Sequence, residues 1–340
     1  LSTSKLSALR GKRVVFRDRG LVEIEDFNVV EPGSKQLLIE SVCTLISPGT
    51  ETAFLMALPN TPGKFPMYPG YSNAGVVYAK GGEVSAFNVG DRVVSRKPHA
   101  SHVIAEEGEA EKIPENVSLE EASFSTLATI AMQGVRKAGI ELGESVLVLG
   151  QGLVGNLALQ LSKLSGGMPV IGVDMYDYRL DVAKKCGADE ALNPTKVDLK
   201  DAVMKITERK GADVVIEATG NPNVISLALD LARPRGRVIL LGSPRGISTV
   251  NFYSLVHVKG VIVIGAHNNV RPIYESSRRF WTYRDEVRLV LNLLGKKLLK
   301  VKDLVTERLR FEEAAEAYNK LINAKENILG IILKWKENED

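Results

Sequence analysis

Residues 145–155 read Ser-Val-Leu-Val-Leu-Gly-Gln-Gly-Leu-Val-Gly, an apolar run that ends in glycines and opens a helical pattern continuing to Leu164. A short continuous apolar run of this kind is a strand buried on both faces, and a tight turn from it into a helix begins a parallel strand–helix–strand unit. The spacing Gly150-x-Gly152-x-x-Gly155 needs glycine three times. The first makes the turn, the second lets backbone approach a pyrophosphate, and the third allows close helix–strand packing. The helix start offers unpaired N–H groups and the positive end of its dipole to phosphates. The next apolar strand, 169–174, ends in Asp174, 24 residues after Gly150. A carboxylate there accepts the ribose hydroxyls of an adenosine and repels a 2′-phosphate. The expected cofactor is therefore NAD, with NADP less favoured. Arg179, five residues beyond Asp174, can either reach a phosphate or cap the ribose.

The alternation extends in both directions along this half. Apolar runs 213–218, 237–242 and 261–266 are separated by helical stretches, and helices are expected around 284–295 and 311–323. Residues 12–117 follow another grammar. Short β-branched runs at 14–18, 36–45, 73–80, 91–95 and 101–105 lie between Pro-Gly, Gly-Gly and Asn-Val-Gly turns. Evenly spaced strands without long helices predict a small, partly open antiparallel barrel. The closing run Ile328–Trp335 reads as a strand returning to that barrel. The expected fold is α/β, with a barrel domain over 1–126, a doubly wound parallel-sheet domain over 127–268, and a return segment over 269–340.

Composition excludes several other classes. The 44 Lys and Arg against 41 Asp and Glu leave a formal charge of only +3, evenly interspersed, which predicts no nucleic-acid partner and no membrane surface. No apolar run reaches the ~18 residues of a membrane span. Residues 1–13 lack the apolar core of a signal peptide. Cys43 and Cys186 are too few for a disulfide framework or a cysteine zinc lobe, and the chain is expected in the reducing cytoplasm.

Further motifs carry a resemblance. Arg179-Leu-Asp-Val-Ala-Lys-Lys-Cys-Gly-Ala-Asp, Asn193-Pro194, Gly211-Ala-Asp-Val-Val-Ile-Glu-Ala-Thr-Gly220 and Gly236-Arg-Val-Ile-Leu-Leu-Gly242 resemble the medium-chain dehydrogenase/reductases, essentially end to end. The likeness implies a chaperonin-10-like β-barrel carrying the substrate chemistry and a Rossmann domain carrying the nucleotide. It implies that Leu153 and Val154 lie against the pyrophosphate and nicotinamide, that Thr129 meets the nicotinamide, and that Thr219, Gly220, Gly242 and Ser243 line the site. It places His267 and Asn268 by the carboxamide. It also implies a homodimer or homotetramer paired through residues 261–266.

The chain departs from that family where zinc chemistry would sit. Zinc-dependent members carry Cys in the stretch written here Leu45-Ile-Ser-Pro-Gly-Thr-Glu51, Gly-His-Glu where this chain has Gly70-Tyr71-Ser72, and a third ligand near Ser125. By counting, Ile46, Tyr71 and Ser125 take those places, and none is a usual zinc ligand. The expectation is a site with no metal. His99 and His102, three residues apart at the start of a strand, face opposite ways and have no acid or Cys at ligand spacing.

Other groups must then handle charge and protons at the reacting oxygen. Tyr71 stands where a metal ligand would face substrate, or else fills the vacated space. Glu51 takes the place of a family proton relay, or else caps a turn. His102 is an imidazole titrating near working pH, or a structural histidine. The basic–aromatic stretch 278–284 reads as a half-buried helix face or as a lip for an anionic substrate. The favoured activity is oxidation or reduction of a secondary alcohol or ketone on a small polar substrate (sugar, polyol or cyclitol), as in the polyol, threonine and aminocyclitol-type dehydrogenases. A pigment-side-chain alcohol, a zinc-free quinone or enoyl reductase, and a non-catalytic nucleotide-binding redox sensor are the alternatives.

Overall fold

The computed structural model describes residues 9–336. The chain divides into two compact units, one formed by the residues up to Thr126 together with those from Val287 onward, the other by Leu127–Glu286. The second crossing therefore falls after Glu286, later than the 268/269 boundary expected, because residues 269–286 pack with the parallel-sheet unit.

In the barrel unit the strand Gln36–Leu45 is the hub. It pairs antiparallel with Asn73–Lys80, His102–Glu106 and Gly330–Lys334. Arg92–Ser95 and Ala110–Lys112 extend the sheet on one side, and Val305–Arg310 extends it on the other. Gln36–Leu45 is buried along nearly its whole length, as a strand paired on both edges and covered on both faces must be. The returning run forms Gly330–Lys334, with Ile332 opposite Leu45 and Leu333 opposite Thr44. Its pairing with Val305–Arg310 is parallel, unlike the rest of the barrel. The helix Ala314–Asn323 makes the crossover that a parallel pair requires.

A hairpin of Arg10–Asp18 and Leu21–Asn28 closes over this unit. Its second strand escaped the sequence pattern because it is half-exposed and acidic, with little apolar alternation to read. One core gathers Val14, Phe16, Ile46, Leu55, Tyr318, Ile331 and Leu333. Phe16 meets the Tyr318 ring edge-on at 4.9 Å, which fixes the C-terminal helix against the hairpin.

The second unit is a six-stranded parallel sheet. Its spatial order is Glu190–Leu192, Val170–Val173, Val146–Leu149, Ala212–Glu217, Ala232–Leu240, Ile262–Gly265. Val146–Leu149 and Val170–Val173 are buried at every position. The helices Leu153–Leu164, Asp177–Lys185, Leu199–Ile206 and Val224–Leu231 connect the strands, giving the doubly wound Rossmann arrangement. Ile262–Gly265 ends the sheet and is largely exposed. Among the described residues no helix is long and apolar enough to cross a membrane.

Candidate active site

Parallel strands share their carboxyl ends, so the motif residues of the second unit collect on one edge of its sheet. Gly150 follows Val146–Leu149, Asp174 follows Val170–Val173, and Thr219 and Gly220 follow Ala212–Glu217; Gly242, Ser243 and His267 follow the last two strands. The Gly150 turn sits where the strand order reverses, the position at which doubly wound sheets bind ligands. Gly150 has φ +89°, a conformation that side chains rarely adopt. A Cβ on Gly155 would stand 1.8 Å from the Gly150 carbonyl oxygen, whereas one on Gly152 would meet nothing within 4 Å. The turn is thus packed shut from below and open at Gly152. No side chain caps the helix Leu153–Leu164 at that end.

Asp174 is buried beside the turn. Its Oδ2 accepts the Gln151 N–H at 2.7 Å and its Oδ1 the Tyr176 N–H at 3.0 Å. Arg179 Nη1 lies 3.6 Å from Oδ2, with its guanidinium 4.9 Å from the Tyr176 ring centre. An open glycine backbone, an uncapped helix start and a carboxylate at the next strand end are the donor set for a dinucleotide, so these residues fit the nucleotide. Leu153 is buried and Val154 half-buried in the helix's first turn. Thr219 donates both its N–H, at 2.7 Å, and its hydroxyl to Glu217 Oε1, while burial pushes the Glu217 carboxyl up. Thr129 is buried on the helix Ser125–Ala138, and its carbonyl accepts from Arg271 Nη2 at 3.1 Å. His267 is exposed, and its Nδ1 accepts the Asn269 N–H at 3.2 Å.

The barrel unit builds a second constellation around Ser47. Ser47 precedes the helix Pro48–Leu55, which Pro48 starts by supplying a preset φ and no N–H. Glu51 reaches back from that helix, and its Oε1 accepts the Ser47 N–H at 2.7 Å. Its Oε2 is hydrogen-bonded to His99 Nε2 at 2.9 Å and accepts from the Tyr318 hydroxyl at 2.5 Å. Glu51, His99 and Tyr318 are each at most 1% exposed. Burial and the Glu51 charge together push the Tyr318 phenol well up. Ser47 Oγ in turn lies 2.5 Å from the Tyr71 hydroxyl, which also hydrogen-bonds Thr50. Tyr71 is half-buried, and desolvation, then the Glu51 charge, push its phenol up to about 12. Gly70 has φ +98°, and a Cβ there would lie 2.6 Å from the His99 ring, so only glycine lets the chain pass His99 on its way to Tyr71.

Tyr71 and Glu51 are thus brought into one network, and His102 is not. His102 opens the strand His102–Glu106, where its Nδ1 is 3.1 Å from Ser101 Oγ and its ring meets Tyr78 edge-on at 5.7 Å. Burial lowers its pKa. The histidine that does join is His99, in the turn before that strand. Nor does Ile46 face Tyr71. It lies in the apolar core with Phe16 and Leu55, and the residue beside the Tyr71 hydroxyl is Ser47. Ser125 is buried and donates to the Ala122 carbonyl at 2.6 Å. Tyr318, Ser47 and Thr50 carried no signal in the sequence beyond the Ser-Pro-Gly-Thr-Glu run. In the 278–284 stretch, Trp281 is covered by Arg136 at 3.5 Å, but Arg278, Arg279 and Phe280 are exposed in a turn ahead of the helix Tyr283–Gly295, so the stretch is not the half-buried helix face expected. Among the described residues no three His, Cys, Asp or Glu gather to hold a metal ion. Ser47 and Tyr71 offer hydroxyls, and His99 Nε2 is engaged with Glu51. That donor set does not fit zinc.

A Rossmann sheet with its glycine turn at the switch point, joined in one chain to a chaperonin-10-like barrel, defines the two-domain dehydrogenase architecture. A family model described as zinc-binding dehydrogenase matches residues 154–280, which lie outside the Ser47–Tyr71 region. The L-threonine 3-dehydrogenase of Marinomonas sp. (strain MWYL1) is 30% identical over 241 residues, 62% of this chain and 70% of that protein. The D-guloside 3-dehydrogenase of Escherichia coli (strain K12) is 36% identical over 170 residues, 49% of this chain. That match spans 48%, about half, of the guloside enzyme's own length. The solved structure of 2R,3R-butanediol dehydrogenase from Bacillus subtilis superposes with a TM-score of 0.82 at 20% identity, covering 95% of this chain and 99% of that one. This chain belongs to the medium-chain, alcohol dehydrogenase-like superfamily.

Proposed function

We propose that the protein is an NAD-dependent oxidoreductase of the cytoplasm, interconverting a secondary alcohol and a ketone on a polyol, sugar or cyclitol, with Tyr71 in place of zinc at the reacting oxygen. The observation that carries this reading is the Tyr71–Ser47 pair at 2.5 Å, held from behind by the buried Glu51, His99 and Tyr318. The names of the guloside and threonine relatives support a small polar substrate.

The nicotinamide, when bound, supplies or accepts the hydride. The chain's residues do the rest. The first turn of the helix Leu153–Leu164 holds the pyrophosphate, and Asp174 holds the ribose hydroxyls. With its phenol pushed up to about 12, Tyr71 keeps its proton through neutral pH and donates it to the substrate oxygen. In reduction that proton completes the alcohol, and the phenolate regains one from water by way of the Ser47 hydroxyl. Oxidation runs the same path backwards. Glu51 is a positioning residue: it is buried, its Oε1 holds the Ser47 N–H, and its Oε2 holds His99 and Tyr318.

The test pairs a variant with metal removal. Tyr71→Phe is expected to lower turnover by ~10²-fold or more with little change in NADH affinity. Exhaustive chelation of the unaltered protein is expected to leave turnover unchanged. Near-normal turnover of Tyr71→Phe, or activity lost together with stoichiometric zinc, sinks the assignment.

A further inference from the structure

Arg96 stands apart from the other cations near the Tyr71 network. The strands Asn73–Lys80 and Arg92–Ser95 run antiparallel with Asn73 opposite Ser95. Arg96 follows Ser95 in the chain as Ser72, next to Tyr71, precedes Asn73, so both segments leave the sheet at the same end of this strand pair. Its charge is felt at the Tyr71 hydroxyl, where it opposes the upward push of burial. Arg96 is exposed, and among the described residues it has no ion pair or hydrogen bond. Its neighbours are engaged. Lys97 Nζ pairs with Glu109 at 2.6 Å, and Arg92 donates to the Val117 carbonyl at 2.5 Å. The carboxylate in the Tyr71 network, Glu51, is buried and already holds Ser47, His99 and Tyr318.

A guanidinium without an internal partner presents a planar fork of donors that matches a carboxylate or phosphate two bonds at a time. We propose that Arg96 is the substrate-anion anchor of this site, and that the substrate is a polyol or sugar derivative bearing a carboxylate or phosphate. This rests on the reading of Tyr71 given above. An anion held by Arg96 sets which hydroxyl of a polyol reaches Tyr71, a choice that a row of chemically similar hydroxyls does not make for itself.

Sorbitol, gluconate and sorbitol 6-phosphate share a six-carbon chain and differ in charge, and thus separate the two anion chemistries. NADH formation is followed with each, for the unaltered protein and for Arg96→Ala, Arg96→Lys and Lys97→Ala. One of the two anions is expected to exceed sorbitol in kcat/KM. Arg96→Ala is expected to cut that preference on the order of 10- to 100-fold, mainly through KM. Arg96→Lys should keep part of it, and Lys97→Ala should leave the preference intact. Calorimetric titration of gluconate and inorganic phosphate into the NADH-loaded protein gives a readout independent of turnover. If no alcohol is oxidised but anion binding still weakens tenfold or more in Arg96→Ala, the proposed reaction fails and the anchor stands. Sorbitol used as well as either anion, a preference that survives Arg96→Ala, or no anion binding at all overturns the anchor.

Discussion

Asp174 illustrates how one side chain can be prepared for a ligand. Its two oxygens hold the Gln151 and Tyr176 N–H groups, which fixes the carboxylate at the mouth of the glycine turn, and Arg179 stands 3.6 Å away. A charge so placed favours two ribose hydroxyls, while a 2′-phosphate would meet the carboxylate before it met Arg179. NADH is expected to bind at least ~10-fold more tightly than NADPH, a difference of about 1.4 kcal/mol, and Asp174→Ser should narrow that gap. Fluorescence titration of both nucleotides checks this, and equal or better NADPH binding by the unaltered protein would falsify it. Glu51 shows the converse case, a buried carboxylate whose contacts are all with the chain's own Ser47, His99 and Tyr318. Its removal would leave the buried His99 and Tyr318 without a partner, the costly half of a buried polar network.

At the scale of elements, the helix Tyr283–Gly295 brings a buried acid to two arginines. Glu286 is fully buried, with Arg271 Nη2 at 2.8 Å and Arg136 Nε at 3.6 Å. Lys137, on the same helix as Arg136, adds a third positive charge nearby. Desolvation outweighs these cations and pushes the carboxyl up to about 7, from 4.5 in the unfolded chain. A carboxyl raised on folding binds its proton more tightly in the folded state. Its contribution is therefore fully present below pH ~4.5 and is lost as pH rises through 7. The loss is of the order of 3 kcal/mol at most. Melting temperatures measured from pH 5 to 8 should fall more steeply in the unaltered protein than in Glu286→Gln. Parallel curves would show that Glu286 keeps its charge throughout.

At the scale of the whole molecule, the outermost parallel strand has an edge with no partner strand among the described residues. Among the described residues Ile262–Gly265 pairs only with Ala232–Leu240, while Ile262 is 55% and Val263 40% exposed. An apolar strand with an unpaired edge is a template for another strand unless something covers it. A second copy of the chain, adding its own edge strand, is the symmetric way to cover it. Sedimentation at micromolar concentration is expected to show a dimer, and the paired change Ile262→Lys with Val263→Lys a monomer. A monomeric unaltered protein at that concentration rules out this edge as the interface.

The amino-acid sequence determined what depends on local geometry. Gly150, Gly152 and Gly155 are written into the chain because a tight turn, an open backbone and a 1.8 Å approach are properties of consecutive residues. Gln36–Leu45 and Asn73–Lys80 are legible as strands to the residue, because their burial is continuous or alternating. The two-domain fold and the return of Ile328–Trp335 to the barrel follow from the same periodicities. Ile46 was expected beside Tyr71 by counting, and only packing shows that Ile46 belongs to the core and that Ser47 meets the Tyr71 hydroxyl. The choice of His99 over His102 depended on which side of a turn the chain enters its strand. Tyr318 meets Glu51 across 267 residues of sequence. No periodicity records such a contact: it exists because the C-terminal helix packs on the hairpin through Phe16 and carries a phenol to a carboxylate. Local pattern encodes which residues are buried and which backbone angles they take, whereas the pairing of one buried group with another is decided where the elements meet.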